Sequence, residues 1–212
     1  MYTKATTIEC INRTYNHHYP GIFTLNDIKI AEVINRHVLL TAKQAKYFGL
    51  ARRRLGHLVK YGFLYRYLVK SGEEELGSVY AIGPAAKYYQ GYPIVGISNP
   101  HKVQSMVAVN QVLIYLLNHS PQAEVTVMYQ KPMQAVFSMN KPVGITAPRT
   151  GFDPSIIGLD NIEQAIVILP NKNQAQPGLP VRYVFDEDLD DPFNIQFYAY
   201  RTDKGLEKVD LF

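Results

Sequence analysis

The stretch "TAKQAKYFGLARRRLGHLVKYGFLYRYLVKSGEEELGSVYAIG", Thr41–Gly83, decides the reading of the chain. Thr41 can cap a short helix through Phe48, and Gly49 ends it. A further helix covers roughly Ala51 to Tyr61, with Gly62 as its stop. The period then falls to two. Residues 63–69 and 78–82 read as strands, joined by the turn "KSGEEELG". Just upstream, Thr24 or Asn26 can cap a helix from about Asp27 to Val38. Ile30, Ala31, Ile34 and Val38 follow helical spacing there. The order is helix, helix, tight turn, helix, hairpin, which is the layout of a winged helix-turn-helix with the hairpin as its wing.

No acid lies between Thr41 and Lys70, but eight Lys or Arg do: Lys43, Lys46, Arg52, Arg53, Arg54, Lys60, Arg66 and Lys70. On a helical wheel Ala51, Leu55, Leu58 and Val59 share the face expected to pack inward. Arg52, Arg53, Gly56, His57 and Lys60 share the outer face, with Arg54 and Tyr61 at the margin. The first turn of a recognition helix usually meets base edges, and Arg can bridge guanine bidentately. The expected base contacts are therefore Arg52, Arg53 and His57. The expected phosphate contacts are Lys43, Lys46, Arg54, Lys60, Arg66 and Lys70. Gly56 costs a helix about 1 kcal/mol relative to Ala, but it would let the backbone approach a groove closely. The hairpin turn conflicts with this picture. Glu73, Glu74 and Glu75 would be repelled by phosphates, so the tip faces away from DNA or meets a protein.

Charge is divided along the chain. Residues 1–100 hold 13 Lys+Arg against 6 Asp+Glu, and residues 101–212 hold 9 against 12. A basic half commonly faces a polyanion. A hydrophobic fraction of 47% excludes disorder of the whole chain. Cys10 is the only cysteine, so an intrachain disulfide is excluded, which fits a reducing cytoplasm. The N-terminus has no signal-peptide pattern, and no apolar run is long enough for a membrane span.

Residues 1–23 read as an N-terminal arm, 24–90 as the winged helix-turn-helix domain, and 91–212 as an α+β domain. "GPAAKYYQGYPIVGISNP" reads as a connector, after which Asn99 and Pro100 start a long helix to about Asn118. Strand signals follow in "AEVTVMYQ", "MQAVFSM", "SIIGL", "QAIVILP", "VRYVFDE" and "FNIQFYAYR". The expected fold class is α+β, an N-terminal winged helix-turn-helix followed by a helix-plus-mixed-sheet domain. His17-His18-Tyr19 does not suit a relaxase metal site, because adjacent histidines on a strand face opposite ways. Tyr88-Tyr89 fits aromatic packing in the connector. Neither a phosphate-binding Gly-rich loop nor Cys/His zinc spacing is present, and no cofactor or metal is assigned.

A winged helix followed by "HKVQSMVAVNQVLIYL" (101–116), "GFDPSIIGL" (151–159) and "RYVFDED" (182–188) resembles the replication-relaxation family of plasmid and mobile-element proteins. The resemblance covers residues 24–190 and rests on order and short motifs. It implies a second domain similar to restriction-endonuclease-like nucleases, in which an acid on one strand and an acid-x-Lys or acid-x-Asp on the next hold a divalent metal. Asp153 matches the first position, and Asp186 and Asp188 match the acid-x-Asp form. In the alternative register, "VILPNK", Pro170 stands in the acid's place while Lys172 remains. The resemblance thus implies a degenerate scaffold and a non-enzymatic, double-stranded DNA-binding protein of a plasmid, phage or other mobile element, serving replication, transfer or transcription. A metal-dependent nuclease using Asp153, Asp186 and Asp188 is the alternative. A protein-interaction module built on the winged helix is the second. A homodimer is expected, with residues 100–118 as one candidate interface.

Overall fold

Thr24 opens the first helix. Its hydroxyl accepts from the Asp27 N–H while Asp27 accepts from the Thr24 backbone, and α1 runs Leu25–His37. This reciprocal cap satisfies two of the helix's orphan donors and selects Thr24 over Asn26. Thr41 makes the same box with Gln44 to open α2, Ala42–Tyr47. Gly49 then reverses the chain at φ 74°, and α3 covers Arg52–Lys60. The hairpin follows as β3, Leu64–Ser71, and β4, Glu74–Ile82.

The computed structural model describes residues 4–11, 24–127, 133–138, 141–156 and 164–211. Two compact units divide the chain, Tyr2–Val103 and Gln104–Phe212. The boundary lies at 103/104 rather than at the expected 90/91.

In the first unit, a short strand β2 (Leu39–Thr41) joins α1 to α2 and pairs with β4. At the other edge β1 (Thr7–Cys10) pairs with β3, giving the antiparallel order β1-β3-β4-β2. Part of the expected arm is thus a sheet strand. His17, His18 and Tyr19 lie outside the described residues. The hairpin loop is also shorter than expected. Ser71 and Glu74 are register partners, so only Gly72 and Glu73 form the turn. Gly72 has φ 59°, as a tight two-residue hairpin loop requires at its first central position. Glu74 and Glu75 belong to β4. A short helix, α4 (Pro84–Gln90), occupies the expected connector. It starts at Gly83, whose backbone lies against the α3–β3 corner, where a Cβ would meet Phe63 C at 2.9 Å and Leu64 C at 3.0 Å.

One apolar cluster holds this unit together. Ile30 and Ile34 of α1, Ala45 of α2, and Leu55 and Leu58 of α3 pack with Phe63, Leu64 and Ile82 of the sheet. Each large side chain among them contributes about 1.5–3 kcal/mol by leaving water. The expected inward face of α3 holds at Leu55 and Leu58, but Ala51, the residue before the helix, is exposed.

Helix α5 (Pro100–His119) crosses the 103/104 boundary, with most of its length in the second unit, and carries the Asn99 cap, whose Oδ1 accepts from the His101 N–H at 2.9 Å. Every residue from Val103 to Ile114 is buried. Along the stretch 100–118, expected as an interface, solvent reaches only residues near the two ends. Among the described residues seven strands follow: β5 (Glu124–Val127), β6 (Ala135–Ser138), β7 (Pro142–Thr146), β8 (Gln164–Leu169), β9 (Val181–Phe185), β10 (Phe197–Arg201) and β11 (Gly205–Val209). They lie in that order across one sheet. β7, β8 and β9 run parallel, and the other neighbours are antiparallel.

The sheet has an apolar core on each face. Val109, Val112 and Leu116 of α5 cover Phe137, Ile145, Ile166, Ile168 and Val184. On the opposite face Val167, Leu169, Tyr183 and Phe185 pack with Met133, Ala175 and Tyr198. A central parallel strand buried on both faces must be apolar throughout, which explains "AIVIL" in β8. Residues 155–156 of the expected strand "SIIGL" lie in a 3₁₀ turn, Pro154–Ile156, instead, and 157–159 lie outside the described residues. The fold is α+β, and the second unit is a helix with a mixed sheet.

Candidate nucleic-acid interface

The fold sorts the nine expected contact residues into two groups. Arg52 and Arg53 in the first turn of α3, and Lys60 in its last, are exposed. Gly56 lies between them on the same outer side, and a Cβ built there meets nothing within 4 Å. Lys43 and Lys46 are exposed on α2, which packs against α3. Residues three apart share a helix face. His57 is half-buried, with its ring edge-on to Tyr61 at 4.6 Å between centroids. Lys60 Nζ lies 5.6 Å from the centroid of that same Tyr61 ring. Arg52, Arg53, Lys46 and Lys60 make no ion pair with another described residue.

The other group is engaged by the fold itself. Arg54 turns back from the margin of α3 and binds the Asp27 carboxylate bidentately. Asp27 is fully buried, and the Arg54 side chain is 29% exposed. The same carboxylate accepts from the Thr24 N–H at 2.9 Å and the Thr24 hydroxyl at 2.8 Å. Burial pushes the Asp27 pKa up. The hydrogen bonds from Arg54 and Thr24 together outweigh it and hold the carboxyl below the ordinary value. Arg54 is therefore a strut between α3 and α1, not a phosphate contact.

Lys70 is engaged too, in a more exposed pair: its Nζ binds Glu9 Oε2 of β1 at 2.7 Å, and that bond raises its pKa. Arg66 donates from Nε to Ser78 Oγ across the hairpin at 2.9 Å. Asp27 and Glu9, the partners missed from sequence, are two of only three acids before residue 73. Their scarcity beside so many cations was the available signal. The strut fixes which way α3 presents its remaining charges. With Arg54 held inward, Arg52 and Arg53 are left on the solvent side of the first turn. Glu73, Glu74 and Glu75 are all exposed at the far end of the hairpin.

The carboxylates of the nuclease alternative do not assemble. Asp153 is exposed in a loop, where its Oδ1 accepts from the Ser155 N–H at 2.9 Å, a bond that lowers its pKa. Asp186 is buried against Arg149 at 2.6 Å. Asp188 is pushed up by burial and then by the neighbouring Glu187 charge, and it accepts from the Tyr198 hydroxyl at 3.4 Å. Lys172 pairs with Glu187 at 2.6 Å and lies over the Tyr198 ring, rather than beside Asp153. Among the described residues, no three His, Cys, Asp or Glu side chains come together as a metal site. Cys10 sits half-buried in β1 as a free thiol. Tyr88 and Tyr89 lie on α4, 82% and 55% exposed, so the expected packing leaves most of Tyr88 in solvent.

No family model, curated protein or solved structure matches the chain. No helix among the described residues is long and apolar enough to cross a membrane.

Proposed function

We propose that the first unit is a winged helix that binds double-stranded DNA, with α3 in the major groove. The observation that carries this reading is the sorting of charge on α3. The one arginine with a carboxylate within reach is turned inward. Arg52, Arg53 and Lys60 stay outward around a glycine whose missing side chain leaves open space. In the proposed complex Arg52 and Arg53 read base edges with His57 beside them, and Lys43, Lys46 and Lys60 meet phosphates. The acidic end of the hairpin points away from the duplex, because phosphates would repel it. The chain acts as a non-enzymatic cytoplasmic factor in replication, transfer or transcription of a plasmid, phage or other mobile element. The likeness to the replication-relaxation family is the reason for that setting.

A salt titration of duplex binding by fluorescence anisotropy tests the proposal. Lys43, Lys46 and Lys60 at phosphates give a log–log slope near −2.7, at about 0.9 per contact. A chain that fails to bind duplex at low salt is not a DNA-binding protein of this kind. The exposed Glu73–Glu75 run supports a second reading, a protein-interaction module, which such a failure would favour.

A further inference from the structure

We propose that a groove on the second unit's sheet, lined by Arg182, Arg201 and Lys208, binds a phosphate group. The groove encloses about 560 Å³ over β9, β10 and β11. Tyr198 and Tyr183 are register partners, so the next pair along the antiparallel ladder sets Ala199 opposite Arg182. On the other side Ala199 faces Glu207, and Arg201 faces Gly205. Opposed residues share a sheet face. Ala199 and Gly205 therefore form a low floor, with Arg182 and Arg201 rising beside it. Lys208 of the edge strand, opposite Tyr198, adds to the lining at the sheet's margin.

Arg182 supplies the reason to expect an anion. Its side chain is half-buried, and its Nε, shut off from solvent, has no hydrogen-bond partner, which leaves the guanidinium's outer N–H groups to meet a ligand. No described carboxylate forms an ion pair with it. A half-buried cation without a counter-charge is costly, and most buried polar groups in folded proteins have a partner. A planar guanidinium matches the paired oxygens of a phosphate. The carboxylates nearby compete weakly. Asp210 lines the groove. Glu207 is held by Arg201 at 3.8 Å and by Lys204 at 3.9 Å, both near the outer limit of an ion pair. Arg201 is 63% exposed and can turn from Glu207 to a ligand. The phosphate belongs either to a nucleic-acid backbone or to a free phosphoester, and the site's chemistry is the same for both. The proposal is independent of α3 and its DNA contacts.

Calorimetric titration of the full chain with inorganic phosphate, against chloride at matched ionic strength, tests the site. Saturable one-to-one binding is expected. Arg182→Gln should weaken it at least tenfold, and Glu207→Gln should tighten it severalfold by removing a competing carboxylate. A gain of affinity cannot arise from misfolding, so the second variant guards the first. Absence of saturable binding, or binding indifferent to both substitutions, overturns the proposal. Duplex anisotropy on the same variants identifies the source. If Arg182→Gln weakens duplex binding as well, the groove takes backbone phosphate. If only inorganic phosphate binding falls, it takes a free phosphoester.

Discussion

Arg54→Ala should destabilise the first unit more than Asp27→Ala does. The two partners differ in burial: Asp27 is fully buried, whereas the Arg54 side chain is 29% exposed. Removing Arg54 leaves a carboxylate in the interior with only the Thr24 N–H and hydroxyl to hold it. Breaking a buried pair in this way costs about 3–5 kcal/mol. Removing Asp27 leaves a guanidinium that can turn to water, and it also removes half of the α1 capping box, together about 2–3 kcal/mol. The assay is urea unfolding of the full chain followed by far-ultraviolet circular dichroism. Among the described residues, four of the five α-helices, α1 to α4, lie in this unit, so most of the helical signal follows it. The pH dependence has a fixed sign. The folded pKa of Asp27 is depressed, so its contribution is fully present above the unfolded value of about 3.9 and is lost as pH falls through the folded one. In Arg54→Ala, burial dominates and that carboxyl titrates upward, so the gap from wild type narrows on acidification. The reasoning fails if Arg54→Ala costs under about 1 kcal/mol, the scale of an exposed pair, or if Asp27→Ala proves the more damaging.

Gly83→Ala drives a methyl into the Phe63–Leu64 backbone and should cost at least the roughly 1–3 kcal/mol typical of overpacking, read from the same urea curves. Gly56→Ala meets open space. It should stabilise α3 by about 0.5–1 kcal/mol while weakening duplex binding, a split that thermal melts and anisotropy together would reveal. Lys46→Ala should reduce the salt slope by about 0.9 without changing the preference between duplex sequences.

Elements with local chemical signals were legible in the sequence. The caps Thr24, Thr41 and Asn99 and the stops Gly49 and Gly62 act within four residues of themselves, and the helices start and end near them. Strands that depend on a distant partner were not legible. β2 is three residues, too short to show a period, and exists because β4 pairs with it. β1 lies in a polar leader and is fixed by β3. β7 contains Pro142 and Gly144, which read as turn residues, yet β6 and β8 flank it. Glu74 and Glu75 are poor strand formers, but their register opposite Ser71 and Lys70 extends β4 to them. The same division holds at the candidate interface. The wheel placed Arg52, Arg53, Gly56 and Lys60 outward from α3 alone, whereas the roles of Arg54, Arg66 and Lys70 depend on Asp27, Ser78 and Glu9, residues brought to them only by the fold.

The central claim is that outward cations of α3 meet DNA while cations engaged by the fold do not. The most direct test is duplex anisotropy at low and moderate salt for wild type, Arg52→Ala/Arg53→Ala and Lys70→Ala. The account predicts tight, salt-sensitive binding that the double substitution weakens strongly and that Lys70→Ala leaves near wild type. Equal losses in both variants, or no loss in the double variant, would contradict it.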